Sequence, residues 1–218
     1  MSRNILKSLR NIFNYQRNIF LAFEGNGIRC FATTNITFAN YGKTCTVPLP
    51  EKQQTISDHT KREVNHHSNL ASTWWDINGP LAPLHHMNAI RVPFIRDGLV
   101  TRGFVDPKLV NTIDVLKNQQ ILEVGCGGGI LTEELARLGA KMTAIDLSNE
   151  LINVARERLK QDARLLENIT YKIEPIEVHM KDKSNFYDAV VISEVLEHID
   201  DKVPFLNACV QCAKVTRF

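Results

Sequence analysis

The second half of the chain alternates short apolar runs with longer segments whose apolar residues follow helical spacing. Leu131, Leu135 and Leu138 form one helical stripe that Gly139 is placed to end, and Ser148 is placed to cap the next helix. A last helical segment is predicted from Glu197 to Ala213. Four apolar runs predict strands at residues 121–124, 142–146, 169–173 and 189–192. Strands that alternate with helices predict an α/β fold, a parallel sheet with helices on both faces.

The first half of the chain has weaker periodicity. Residues 33–59 contain prolines and mixed polar residues and predict a linker, and a helical stretch is expected to begin near Thr60. The segment STWWDINGPLAPLHHMNAIRVPFI is expected to be irregular until Arg91, with Trp74 and Trp75 either roofing a site or packing against the sheet. Residues 60–119 are interpreted as a helical, substrate-side segment, and residues 120–218 as the α/β domain.

The first 32 residues are basic and contain one acidic residue, Glu24. Leu6, Leu9 and Phe13 follow helical spacing, so a basic amphipathic helix is predicted, as in a mitochondrial transit peptide. A basic disordered tail is the alternative. The formal net charge of +2 does not favour nucleic-acid binding, and five scattered cysteines favour a reducing compartment.

The loop GCGGG at residues 125–129 lies between a predicted strand and a predicted helix, where doubly wound sheets bind nucleotides. Asp146 ends the next strand, where a carboxylate can accept hydrogen bonds from ribose hydroxyls. A dinucleotide fingerprint that starts at Gly125 needs glycine at position 130, where this chain has Ile130. The loop also lacks the lysine followed by serine or threonine that a P-loop needs. The pattern therefore favours S-adenosylmethionine, which carries no pyrophosphate.

Three longer segments resemble the ubiquinone-biosynthesis O-methyltransferases. They are ASTWWDINGPLAPLHHMNAIRVPFI, ILEVGCGGGILTEELARLGAKMTAIDLS and FYDAVVISEVLEHI, and the resemblance runs from about residue 65 to residue 213. It implies a Rossmann-like class I methyltransferase sheet. The implied reaction is S-adenosylmethionine-dependent O-methylation of polyprenylated dihydroxybenzoate and demethylubiquinol. The resemblance assigns four residues to the cofactor: Arg91, Gly125, Asp146 and Ser193.

The resemblance also implies a metal site. Glu194, Glu197 and His198 have the spacing i, i+3, i+4, which would place them on one face of a helix, and the family uses such a set for magnesium. A metal there would bind and orient the phenolic oxygen. The competing role is His198 acting as the catalytic general base.

Finally, the resemblance implies a location and partners. We expect peripheral contact with the matrix side of the mitochondrial inner membrane, a polyprenylated phenolic substrate, other proteins of a ubiquinone-synthesis complex and no nucleic acid. The resemblance ends after Ala213, so the family's C-terminal strands are expected to be missing and the strand at 189–192 to have an open edge. A truncated, non-catalytic isoform that binds only cofactor or partner proteins is the alternative.

Overall fold

The computed structural model describes residues 19–24, 27–32 and 57–214, and its strands form one sheet in the order β2-β1-β6-β3-β4-β5. The strands are β1 (Ile19–Glu24), β2 (Gly27–Ala32), β3 (Gln120–Val124), β4 (Lys141–Asp146), β5 (Ile169–Ile173) and β6 (Ala189–Ile192). The helices are α1 (Asp58–Ser68), α2 (Ala82–Thr101), α3 (Ile130–Arg137), α4 (Asn149–Leu159), α5 (Ile176–Asp182) and α6 (Lys202–Cys212). Strands β3 to β6 are mutually parallel, which confirms the predicted α/β fold.

Helices cover both faces of the parallel strands because side chains alternate along each strand. Ile121 of β3 faces a core shared with α2, α3 and α4. Its neighbour Leu122 faces a second core shared with α5 and α6. Cys209 and Cys212 lie in this second core and are fully buried, in agreement with their apolar surroundings in the sequence. The layers hold the carboxyl ends of β3 and β4 side by side.

The predicted end of α3 at Gly139 and the predicted start of α4 at Ser148 are confirmed. Gly139 has a φ of 92° just beyond the end of α3, the left-handed conformation that glycine adopts readily after a helix. The hydroxyl of Ser148 accepts a 3.1 Å hydrogen bond from Leu151 N and caps α4. The first cap marks the end of α3 before β4, and the second marks the start of α4 after β4.

The expectation that the chain is irregular before Arg91 is wrong, because α2 begins at Ala82 and contains Pro93. Pro83 stands in the first turn of the helix, where a missing N–H costs no intrahelical hydrogen bond. Pro93 does remove one such bond, but packing of the α2 residues Ile95 and Leu99 against the sheet stabilises the helix. Helix α5 was not predicted at all.

The expected open edge of β6 is also wrong within the described residues. Strand β1 pairs antiparallel with β6 through Ile19–Ile192, Phe20–Val191 and Leu21–Val190, and β2 continues the hairpin. Backbone groups of β6 are therefore paired on both sides. The basic helix predicted around Leu6 and Phe13 lies outside the described residues. No described helix is long and apolar enough to cross a membrane.

Candidate cofactor site

The glycine loop that follows β3 needs glycine for two separate reasons. Gly125, Gly127 and Gly129 have φ values of 75°, 53° and 86°, a region that side chains with a Cβ rarely adopt. Space is also closed around them, since a Cβ at Gly125 would collide with Val195 and one at Gly129 with the hydroxyl of Tyr171. The loop thus presents bare backbone at the carboxyl end of β3.

Asp146 lies at the end of β4 and is tied to this loop. Its Oδ2 accepts a 2.8 Å hydrogen bond from Gly127 N, and its Oδ1 accepts one of 2.8 Å from Ser148 N. Burial raises the pKa of Asp146, and the N–H groups of Ser148 and Gly127 oppose that rise. The structure therefore brings together the loop and the acid that the sequence singled out.

Arg91 and Ser193, the other two predicted cofactor residues, contact each other. The Nη1 group of Arg91 donates to Ser193 Oγ at 3.1 Å, while Nη2 donates to Leu84 O at 2.8 Å and to Asn88 Oδ1 at 2.6 Å. Arg91 is buried, so it is not a surface arginine. Burial lowers the pKa of its guanidinium, and the nearby Glu123 and Glu194 carboxylates raise it.

Glu123 is a buried acid that the sequence analysis overlooked. It lies in β3 below the loop, and its Oε2 accepts a 2.5 Å hydrogen bond from Thr132 Oγ1. Burial raises the pKa of Glu123 to about 7, with Thr132 and Arg91 lowering it and Asp146 adding to the rise. An acid in the middle of an apolar strand was the available signal, because buried acids are rare without a partner.

The predicted metal set is not assembled. Glu194 has a φ of 57° and stands outside any helix, while Leu196–His198 form a 3-10 turn, so the three residues do not share one helical face. Burial raises the pKa of Glu194, and the neighbouring Glu197 raises it further. No group of three His, Cys, Asp or Glu side chains among the described residues could hold a metal ion. The expected ligands therefore do not fit magnesium.

His198 instead pairs with a helix from the first half of the chain. Its Nδ1 lies 2.8 Å from Oε2 of Glu63 on α1, and its carbonyl accepts a 3.3 Å hydrogen bond from Thr60 Oγ1. The His67 ring, one turn after Glu63, lies 5.1 Å from the His198 ring. Burial lowers the pKa of His67, and His198 lowers it further. Sequence spacing gave no signal for this tertiary contact.

The two tryptophans lie against the glycine loop rather than against the strands. Trp74 packs on Gly127 and Gly128, and Trp75 Nε1 donates a 3.0 Å hydrogen bond to Gly128 O. Both side chains therefore contact the loop that the sequence singled out, and whether they roof a site stays a prediction.

Comparisons with known proteins agree with this geometry. Residues 122–216 match the family described as methyltransferase domain. The chain is 38% identical over 193 residues to the mitochondrial ubiquinone biosynthesis O-methyltransferase of Mus musculus, covering 87% of this chain and 51% of that protein. It is 44% identical over 146 residues to the protein of the same name from Homo sapiens, covering 66% of this chain and 38% of that protein. The chain therefore spans about half the length of the mouse relative.

A solved structure shows the same fold. Magnesium protoporphyrin IX methyltransferase from Synechocystis, crystallised with bound S-adenosylmethionine, superposes with a TM-score of 0.53 at 18% identity. The match covers 74% of each chain. At this identity the likeness concerns the fold alone.

Proposed function

We propose that this chain, a homologue of the ubiquinone biosynthesis O-methyltransferases that contains a methyltransferase domain, binds S-adenosylmethionine and methylates a phenolic oxygen. The observation that carries the proposal is the 2.8 Å hydrogen bond that joins Gly127 of the bare loop to Asp146. It places open backbone and an acid side by side at the carboxyl ends of adjacent parallel strands, where α/β sheets bind nucleotides.

The residues present fit the cofactor. An ionised carboxylate can accept about four hydrogen bonds, and the backbone N–H groups of Gly127, Ser148 and Leu147 do not use all of them, which leaves acceptor capacity on Asp146 for the ribose. Arg91 supplies a fixed positive charge for the carboxylate of the methionine part. Gly125 gives the loop the positive φ that it needs, and Ser193 accepts a hydrogen bond from Arg91 and so holds the guanidinium in place. When bound, S-adenosylmethionine supplies the methyl group.

We assign proton removal from the phenol to His198. A carboxylate only accepts hydrogen bonds, so the contact with Glu63 requires the proton of the His198 ring to lie on Nδ1. Nε2 is then left as the acceptor for the phenolic proton. Glu63 positions the ring and stabilises the imidazolium that results. No step of this mechanism is assigned to magnesium, because Glu194, Glu197 and His198 do not form a metal site among the described residues.

The proposed substrates are those expected of an O-methyltransferase of ubiquinone biosynthesis, the activity for which the mouse and human relatives are named. Polyprenylated dihydroxybenzoate and demethylubiquinol intermediates carry the phenolic oxygen that an O-methyltransferase of ubiquinone biosynthesis requires. The mitochondrial names of the mouse and human proteins support a mitochondrial location for this chain. Peripheral contact with the matrix side of the inner membrane, and with other proteins of a ubiquinone-synthesis complex, belongs to the same proposal.

A methyl-transfer assay tests the function. The purified chain is incubated with S-adenosylmethionine that carries a radiolabelled methyl group and with a short-tailed dihydroxybenzoate. Label in the monomethyl ether is the expected result. Tight binding of the cofactor without any labelled product would contradict the catalytic part of the proposal.

A further inference from the structure

Trp74 packs against two glycines of the loop that follows β3. A Cβ added at Gly127 would collide with Cζ2 of its indole, and one added at Gly128 would collide with Cδ1. Trp74 is only 6% exposed and packs with Ile130 and Leu151. The ring therefore spans two successive glycines, and the absence of side chains at both positions is what lets it lie so close.

The position of Trp74 is also defined relative to the acid. Gly127 touches the indole on one side, and its N–H donates to Asp146. The ring of His67 lies 6.5 Å from the indole, and His67 also lowers the pKa of Asp146. Gly127 therefore links Trp74 to Asp146, because it contacts the indole and donates to the carboxylate.

The two tryptophans differ in how their N–H groups are used. Trp75 Nε1 donates to Gly128 O, which is a structural role. Trp74 Nε1 is buried and has no hydrogen-bond partner among the described residues. Leaving a buried donor unpaired costs about 1–3 kcal/mol, so native structures rarely keep one without a reason.

We propose that Trp74 is a cofactor-binding residue, whose indole forms one wall of the site and whose Nε1–H donates to an oxygen of the cofactor. The proposal rests on the proposed function, because it names a further contact in the same site. The oxygens of S-adenosylmethionine lie on its ribose and on its carboxylate, so one of these two groups is the acceptor. 5′-Methylthioadenosine, which has the ribose and lacks the carboxylate, distinguishes them.

The test uses the fact that the chain contains two tryptophans. The whole chain is labelled with 5-fluorotryptophan, and the two fluorine resonances are assigned with Trp74→Phe or, if that variant does not fold, with Trp75→Phe. Titration with S-adenosylhomocysteine is expected to shift the Trp74 resonance and to saturate at the dissociation constant measured by calorimetry. Trp74→Phe retains an aromatic ring without the donor, so affinity should fall about fivefold.

Each outcome has one meaning. An unshifted Trp74 resonance, or an unchanged affinity in folded Trp74→Phe, would overturn the assignment of Trp74 while leaving the proposed function intact. Failure of the wild-type chain to bind S-adenosylhomocysteine would overturn both. If Trp74→Phe weakens the binding of 5′-methylthioadenosine as much as that of S-adenosylhomocysteine, the acceptor is on the ribose. If only S-adenosylhomocysteine binds more weakly, the acceptor is the carboxylate.

Discussion

The backbone N–H of Gly127 donates a 2.8 Å hydrogen bond to Oδ2 of Asp146 and so joins the loop after β3 to the end of β4. The other oxygen of the same carboxylate accepts from Ser148 N at the start of α4. One partly buried side chain thereby fixes the relative position of a strand, a loop and a helix. The acceptor sites that remain on Asp146 are oriented before any ligand arrives, which reduces the entropy cost of binding.

Stability should depend on pH through Glu123. Its folded-state pKa is raised to about 7 from an ordinary value of 4.5, so the folded protein holds the proton more tightly than the unfolded chain between these values. The proton on Glu123 therefore contributes fully to the free energy of unfolding below the pKa of the unfolded chain. This contribution is lost as the pH rises through the pKa of the folded protein. We predict that Glu123→Gln, which mimics the protonated acid, is more stable than wild type at pH 8 by up to about 3 kcal/mol and equal to it near pH 4.

Chemical denaturation of both proteins across this pH range measures the difference. Glu157→Gln is the matched control, because Glu157 is exposed in an ion pair with Lys160. A constant difference between wild type and Glu123→Gln at all pH values would show that Glu123 does not titrate in this range.

Arg91→Lys should weaken cofactor binding, because Arg91 is proposed to pair with the carboxylate of the methionine part. Lysine cannot reproduce the planar set of donors that contacts Ser193, Leu84 and Asn88. Loss of one charge-assisted hydrogen bond is worth about 1.5–3 kcal/mol, so affinity for S-adenosylhomocysteine should fall roughly tenfold or more. Calorimetry measures this, with Arg96→Lys on the exposed side of α2 as control.

5′-Methylthioadenosine, which lacks the carboxylate, makes the test of Arg91 specific. Its affinity should change little in Arg91→Lys. An equal loss for both ligands would mean that Arg91 acts by supporting the fold and not by pairing with the carboxylate.

Glu63→Gln should reduce turnover without weakening the binding of the cofactor. The amide oxygen can still accept from His198 Nδ1, but the negative charge that stabilises the imidazolium is gone. We expect kcat to fall about tenfold or more while the dissociation constant of S-adenosylhomocysteine stays the same. Asp58→Asn, an exposed change on α1, is the control. A fully active Glu63→Gln would remove the pair from the mechanism.

The parallel strands and the loop were predictable because their signals are local. Residues 189–192 are an uninterrupted apolar run, and residues 120–146 are a single strand–loop–helix–strand unit. Helix α2 was missed because prolines normally break helices, whereas Pro83 occupies the first turn and packing stabilises the helix around Pro93. The contact of Glu63 with His198 exists only after α1 packs against the turn that follows β6, and no spacing rule encodes it.

The predicted metal set failed for a related reason. The i, i+3, i+4 spacing of Glu194, Glu197 and His198 aligns side chains only if the segment is helical throughout. The left-handed conformation of Glu194 breaks that assumption at its first residue. Residue spacing alone cannot reveal such a break, because it depends on how the chain leaves β6.

The first 32 residues are predicted to direct a fused fluorescent protein to mitochondria. Arg3, Lys7 and Arg10 provide the positive charge that import requires, so changing all three to glutamate should abolish the mitochondrial signal. Fluorescence microscopy beside a mitochondrial marker measures the outcome. The control combines Arg3→Lys, Lys7→Arg and Arg10→Lys, which keep the positive charge. A diffuse signal from the unaltered fusion would contradict the prediction.

The most direct measurement of the central claim is the affinity of wild type and Asp146→Ala for S-adenosylhomocysteine, determined by calorimetry. Asp188→Ala is the control, because Asp188 also accepts a backbone hydrogen bond, from Gln120 N, but lies at the opposite end of β3. Loss of two charge-assisted hydrogen bonds to the ribose should weaken binding at least tenfold, for 5′-methylthioadenosine as well. Asp188→Ala should bind both ligands as wild type does. An unchanged dissociation constant in folded Asp146→Ala would contradict the assignment of the glycine loop and Asp146 as the cofactor site.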